Sequence, residues 1–362
     1  MDLVPLIELV GEPQTALVGG LILGLAFGVF AQRSRYCTRS AVLSAMGESD
    51  LKPLATWAAG FAAAILAVQA LLGADLIDVA ETRFFSTAQS LSGALAGGLL
   101  FGVGMVLTRG CVSRLLVLGA SGNLRGVFSI AIVAVTALAT YSGILVPLRD
   151  GIGGVWSTAA IGGNDLLGHA GLERWAGITL GIILAAIALG FALKARVSAW
   201  RFFGGTMIGL TIAAGWYFTW QLSTQVFEPI QAESLSFIRP LATTGELALQ
   251  SGFAGLDQGV LLGAVIGAFV AAVVSGEFRI ATFSEPGVPS IWRYAAGSVL
   301  MGFGGILAVG CTIGAGLTGG SVLAVSSLLG LASMITGAAL TQLVLRSVAS
   351  QQTASAAIMA AE

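Results

Sequence analysis

The chain has 362 residues and a formal net charge of −1; 56% of its residues are hydrophobic and 10% are charged. A soluble domain usually carries about 25% charged residues, so this composition excludes an ordinary soluble protein and predicts a single membrane domain over residues 1–362. The near-neutral charge excludes a nucleic-acid-binding arm. Three cysteines and one histidine form neither a disulfide framework nor a metal-ligand spacing, and no cofactor is expected.

Uncharged apolar runs recur along almost the whole chain. In chain order they are Pro13–Gln32, Leu54–Ala74, Phe84–Thr108, Gly126–Leu148, Trp175–Leu193, Phe202–Phe227, Gln258–Gly276 and Tyr294–Leu345. The last run covers 345 − 294 + 1 = 52 residues, enough for two spans of roughly 20 residues each. The first should remain as a span, because the residues before it lack the basic stretch of a secretory signal. We therefore expect an all-α polytopic membrane protein with about nine transmembrane helices.

Lysine and arginine collect in the loops that follow the odd-numbered spans. These loops carry Arg33, Arg35, Arg39 and Lys52, then Arg109, Arg114 and Arg125, then Lys194, Arg196 and Arg201, then Arg279 and Arg293. The opposite loops are rich in Asp and Glu and hold a minority of arginines, namely Arg83, Arg149, Arg174 and Arg239. Because basic loops stay in the cytoplasm, nine spans place the N-terminus outside and the C-terminus inside.

Part of the chain repeats. When Ala96–Gly119 is laid over Ala296–Gly319, nine of 24 positions are identical, and Gly110-Cys111 falls on Gly310-Cys311. A weaker match places the glycine pair at Gly19 over the pair at Gly204. Both shifts equal five spans, so two halves, about 13–150 and 200–346, should cross the membrane in opposite directions, as in transporters whose site lies at the repeat interface. Close helix packing through small residues is an alternative reason for the glycines.

The three cysteines all lie at the ends of spans, beside glycine or arginine. The segment after Cys311 has too many glycines for a stable span and no charge to hold it in water, which predicts a re-entrant or broken helix. Arg33, Arg35 and Arg39 surround Cys37, and Arg109 and Arg114 flank Cys111. These arginines favour an anion, or they only set the topology. The cysteines themselves could be small buried hydrophobes or soft metal ligands.

Three cysteine-bearing stretches resemble a known family. RSRYCTRSAV, GVGMVLTRGCVSRLLVLGASGNLRG and GFGGILAVGCTIGAGLTGGSV are similar to the signatures of the YeeE/YedE family, bacterial inner-membrane proteins associated with thiosulfate uptake. The resemblance implies an hourglass-shaped transporter of two inverted halves, with the N-terminus periplasmic. It also implies that cysteines pass thiosulfate along a central pathway, with Cys111 at the constriction and Cys311 and Cys37 toward the outer and inner mouths. A TusA-like cytoplasmic sulfurtransferase is the implied partner.

The expected transport residues are Cys37, Cys111, Cys311, Gly110, Gly310, Arg109 and Arg114. Neutral thiols would meet the terminal sulfur of thiosulfate, while backbone N–H groups of the glycine-rich segments would bind its oxygens. Two alternatives remain at this stage: a transporter of another small sulfur- or selenium-containing anion, and a membrane sulfurtransferase with Cys111 as nucleophile. No histidine lies near a cysteine in sequence to activate it. A purely structural membrane subunit is a third.

Overall fold

The computed structural model describes residues 3–47, 50–226, 231–250 and 252–359, and its regular elements are helices. The first half contains α1 (Val4–Val10), α2 (Glu12–Ser34), α3 (Thr38–Ala45), α4 (Lys52–Gly73), α5 (Leu91–Leu107), α6 (Val112–Ala120), α7 (Leu124–Tyr141) and α8 (Val146–Gly153). The second half contains a short turn of helix at Thr158–Ile161, α9 (Leu166–His169), α10 (Arg174–Lys194), α11 (Ala199–Ser223), α12 (Ile238–Leu249), α13 (Leu256–Val274), α14 (Ile291–Leu307), a wide-turn π-helix at Thr312–Gly319 and α15 (Val325–Met359).

Eight helical stretches in the described chain are long and apolar enough to cross a membrane. They are Glu12–Ala45, Lys52–Gly73, Leu91–Ala120, Leu124–Tyr141, Arg174–Lys194, Leu256–Val274, Ile291–Gly319 and Val325–Val348. These correspond to eight of the nine expected spans, and the expected polytopic all-α fold is confirmed. The remaining run, Phe202–Phe227, forms α11, which has 25 residues and packs against α2 and α4; Phe227 itself lies outside the described residues.

Three helices break in the same way, each two residues before a cysteine. Arg35, Arg109 and Val309 follow α2, α5 and α14 and adopt left-handed backbone, with φ of 56°, 62° and 57°. Each break is followed after one residue by a cysteine at the N-cap of a short helix: α3, α6 or the π-helix. Since non-glycine residues rarely occupy this region of backbone space, the repetition marks a conserved local geometry within the chain rather than three unrelated turns.

The packing of the helices is reciprocal. α5 and α14 have the same length and lie 200 residues apart. They cross antiparallel, because Gly97 contacts Gly304 while Gly104 contacts Gly297. Other contacts occur in matching pairs: α2 with α13 and α11 with α4, α5 with α15 and α14 with α7, and α6 with α13 and the π-helix with α4. This pattern is what two inverted copies related by a two-fold axis in the membrane plane produce.

The residues just before α12 run through the interior rather than over the surface. From Ala232 to Phe237 every residue is buried. The Ser234 hydroxyl donates to the carbonyl of Ile212 at 2.6 Å, and the Thr318 hydroxyl of the π-helix donates to the carbonyl of Leu235 at 2.6 Å. These hydrogen bonds satisfy backbone groups that an apolar interior would otherwise leave unpaired. This stretch carries no recognisable sequence signature, yet it forms part of the core.

Candidate functional site

The three cysteines lie in the buried core of the protein. All three are buried and none is in a disulfide. The thiol of Cys37 neighbours that of Cys111, close enough for the two to interact. Cys111 Sγ also lies 3.4 Å from the hydroxyl of Ser113 and faces the hydroxyl of Thr312, the residue after Cys311. Cys111 therefore lies between the other two cysteine-capped helices.

The expected arginines separate in the structure. Arg114, on the first turn of α6, lies close enough to the Cys37 and Cys111 thiols to interact with them electrostatically. Its Nη1 is buried without a hydrogen-bond partner among the described residues. Arg109 is exposed and donates to the carbonyl of Gly287 at 3.4 Å. The helix break explains the difference, because Arg109 is the left-handed residue that turns the chain. Only Arg114 is brought to the thiols.

The two glycines before the repeated cysteines differ in how tightly they are packed. A Cβ on Gly310 would lie 2.4 Å from the amide nitrogen of Ala315, closer than real atoms approach. On Gly110 the nearest atom would be a Leu115 methyl group at 3.3 Å. Backbone therefore crowds Gly310 more than Gly110. The wide turns that follow Cys311 bring the chain back onto Gly310, which only glycine accommodates.

A cavity of about 480 Å³ leads to the Cys311 break. Val309 and Gly310 line it together with Ser90, Tyr141 and Ile238. The charged residues of the lining are Arg83, Arg149, Arg239 and Asp150, three guanidinium groups against one carboxylate. We call it the arginine cavity. Its guanidinium groups offer charge-assisted hydrogen bonds to an anion, while nearby carboxylates balance their charge, as Asp150 does for Arg149 at 2.8 Å.

Buried carboxylates hold two of these arginines in place. Glu233, in the buried stretch from Ala232 to Phe237, is almost fully buried and pairs with Arg83 at 2.7 Å and with Arg239. Arg239 also pairs with Asp257 at 2.9 Å. Burial lowers the pKa of Arg239, but Glu233 and Asp257 outweigh it and raise the pKa overall, so the guanidinium stays charged. These ion pairs join the cavity wall to the buried stretch from Ala232 to Phe237, which contacts the π-helix.

These arginines were missed by the sequence-based prediction of the site. Arg83, Arg149 and Arg239 stand in three separate loops as a minority among acidic residues, and only the fold brings them to one cavity. Their position in the sequence was the available signal. Membrane topology does not require these loops to be basic, so an arginine in one of them needs another reason. Ser113, Thr312 and Tyr36 were also missed, because hydroxyl-bearing residues are common in membrane helices.

Helices broken at their buried ends, thiols at the breaks and a charged cavity that leads to them define a multi-pass membrane transporter. Residues 33–340 match the family model described as sulphur transport, so the chain belongs to that family, and the resemblance to YeeE/YedE proteins is confirmed. The thiosulfate transporter TsuA of Spirochaeta thermophila is 28% identical over 318 residues, which cover 82% of this chain and 88% of that protein. TsuA of Escherichia coli is 25% identical over 321 residues, covering 82% and 86%. The protein is thus a transporter and not an enzyme.

Proposed function

We propose that this protein takes up thiosulfate across the bacterial inner membrane by way of its three cysteines. The observation that carries the proposal is the position of Cys111, with Cys37 on one side and Thr312, the residue after Cys311, on the other. The names of the two TsuA relatives support thiosulfate as the substrate. A single buried thiol has many explanations, but three thiols gathered at three matching helix breaks call for a ligand with affinity for sulfur.

The proposed route starts in the arginine cavity. The dianion is attracted by Arg83, Arg149 and Arg239 and reaches the Cys311 break at Gly310. It passes Cys111 and then Cys37, near which Arg114 supplies positive charge. A neutral thiol donates weakly to the terminal sulfur, the atom that distinguishes thiosulfate from sulfate, whereas a thiolate would repel it. Several weak sites in series suit passage better than one tight site, because the ion must also leave.

The proposal includes the orientation and the division into halves. Residues 13–150 and 200–346 form the inverted halves, with the N-terminus periplasmic and the arginine cavity at the outer face. Arg33 and Arg35 are exposed at the opposite end. They suit a partner with an acidic surface there, such as a TusA-like sulfurtransferase that receives the sulfur compound at the inner mouth.

Growth on thiosulfate as the sole sulfur source tests the proposal, in cells that lack their own sulfate and thiosulfate uptake. We expect growth with the parent chain and none with Cys111→Ala at equal membrane abundance. Ser129→Ala, which changes a buried side chain on α7, is the matched control and should support growth. Growth with Cys111→Ala equal to the parent would overturn the cysteine route. No growth with the parent would move the substrate to another small sulfur- or selenium-containing anion.

A further inference from the structure

Buried hydroxyl groups without partners concentrate around the cysteine breaks. In the described part of the chain, the buried hydroxyls that make no hydrogen bond are those of Tyr36, Ser129, Ser236 and Thr312. Two of these four, Tyr36 and Thr312, border the thiol site, while Ser236 contacts Gly314 of the π-helix and Ser129 lies on α7. A buried hydroxyl left unpaired costs about 1–3 kcal/mol, so two beside one thiol point to a partner that arrives with the transported ion.

Tyr36 precedes Cys37 and is 3% exposed. Its hydroxyl lies close enough to the Cys111 and Cys37 thiols to interact with them electrostatically. The ring packs on α4 at Gly60, where a Cβ would lie 2.8 Å from Tyr36 Cε2 and 3.1 Å from Tyr36 Oη. The missing side chain at Gly60 therefore makes the space for the phenol, which the left-handed turn at Arg35 directs inward.

Thr312 reaches the same thiol from the other half. It is fully buried, and its hydroxyl approaches Cys111 without completing a hydrogen bond. Ser236 lies beside the same π-helix, since a Cβ on Gly314 would be 2.5 Å from Ser236 Oγ. Tyr36 and Thr312 thus approach Cys111 from two different cysteine breaks.

We propose that Tyr36 and Thr312 are specificity-determining residues that donate hydrogen bonds to the oxygen atoms of the sulfur oxyanion while its terminal sulfur lies at Cys111. This inference rests on the proposed function. It names the residues that recognise the oxygen atoms of the ligand, which thiols recognise poorly. Neutral donors replace part of the hydration shell that a dianion loses on entering the protein. They do so without the tight binding that a buried lysine or arginine at the constriction would impose.

The test measures anion binding to the purified, full-length protein by calorimetry, together with uptake of labelled thiosulfate by cells. Tyr36→Phe and Thr312→Val remove a hydroxyl and keep the shape. Each should weaken thiosulfate binding about tenfold or more, because a hydrogen bond to a charged group is lost. The affinity for sulfate, measured by its competition with thiosulfate, should fall in parallel, since sulfate presents the same kind of oxygen atoms. Cys111→Ala should weaken thiosulfate binding and leave sulfate competition unchanged.

Two controls separate binding from folding. Tyr294→Phe and Thr140→Val make the same changes at buried positions on α14 and α7 and should leave both anions unaffected. Unchanged affinities in Tyr36→Phe and Thr312→Val, with a parent that binds and takes up thiosulfate, would overturn the hydroxyl assignment and leave the proposed function standing. A parent that binds sulfate and not thiosulfate would overturn the proposed function, and the hydroxyl variants would then be judged on sulfate. A parent that binds neither would overturn both.

Discussion

Gly97 of α5 and Gly304 of α14 are in reciprocal backbone contact. A Cβ on Gly97 would lie 2.5 Å from the carbonyl oxygen of Gly304, and a Cβ on Gly304 would lie 2.5 Å from the carbonyl oxygen of Gly97. Because this contact leaves no room for a side chain at either glycine, it sets the distance between α5 and α14. The cysteine breaks at the ends of α5 and α14 are therefore positioned by this crossing.

Gly97→Ala should consequently lower both stability and uptake. The added methyl group meets backbone that cannot rotate away, so α5 and α14 must separate, at a cost of about 1–3 kcal/mol. Thermal unfolding in detergent and thiosulfate uptake per protein measure the two effects. Gly190→Ala on α10 is the control, since a Cβ there meets nothing within 4 Å. Equal melting temperatures for Gly97→Ala and the parent would contradict the close crossing.

The sequence contained enough to predict most of the membrane spans and the broken helix at Cys311. Cysteine is rare in this chain, so its recurrence at 111 and 311 after matched glycines was informative about the two broken helices. The route between them was less accessible. The buried segment from Ala232 to Phe237 has no helical period, and its hydrogen bonds go to residues such as Thr318, far away in sequence. Nothing local indicates that such a stretch is inside.

Sequence distance from a cysteine was also a poor guide to the site. Arg109 and Arg114 lie two and three residues from Cys111, yet only Arg114 faces the thiols. The left-handed turn at Arg109 sends one side chain outward and the following helix sends the other inward. The cavity arginines show the converse, because Arg83 before α5, Arg149 of α8 and Arg239 of α12 meet only in the packed fold.

Mild oxidation should link Cys37 to Cys111 and stop uptake. The two thiols are neighbours held by separate short helices, so a disulfide requires little movement and would occupy the route. A thiol oxidant, followed by peptide mass spectrometry and an uptake assay, tests this, and reduction should restore uptake. Cys311→Ser should still form the link, whereas Cys37→Ser should not. Recovery of both peptides unlinked after full oxidation would show that the thiols do not meet.

Arg149→Gln should raise the KM for thiosulfate several-fold while changing the maximal rate less. Arg149 lines the arginine cavity, where its guanidinium, paired with Asp150 at 2.8 Å, also offers charge-assisted donors to a dianion. The effect should shrink as salt rises from about 0.01 to 0.15 M, because screening shortens the reach of the charge. Arg149→Lys should restore much of the affinity. Arg174→Gln is the control, since Arg174 pairs with Asp75 and faces a different cavity. A salt-independent effect would indicate lost packing.

Glu277→Gln should lower stability near neutral pH and leave it unchanged in acid. Glu277 accepts hydrogen bonds from Arg35 at 3.1 Å and Gln32 at 3.0 Å and ties the end of α2 to the loop after α13. Burial raises the pKa of this carboxyl, but the bonds to Arg35 and Gln32 outweigh it, so the pKa lies below its ordinary value of 4.5. A carboxyl with a lowered pKa contributes its full stabilisation when the pH is above the ordinary pKa, and this contribution is lost as the pH falls through the lowered pKa.

The group is partly exposed, so the difference at pH 7 should be within about 1 kcal/mol. Melting temperatures of the parent and Glu277→Gln should therefore converge as the pH falls below 4.5 and through the lowered pKa, while Glu81→Gln, at an exposed loop position, should follow the parent throughout. A difference that persists undiminished in acid would show that the carboxylate charge is not its cause.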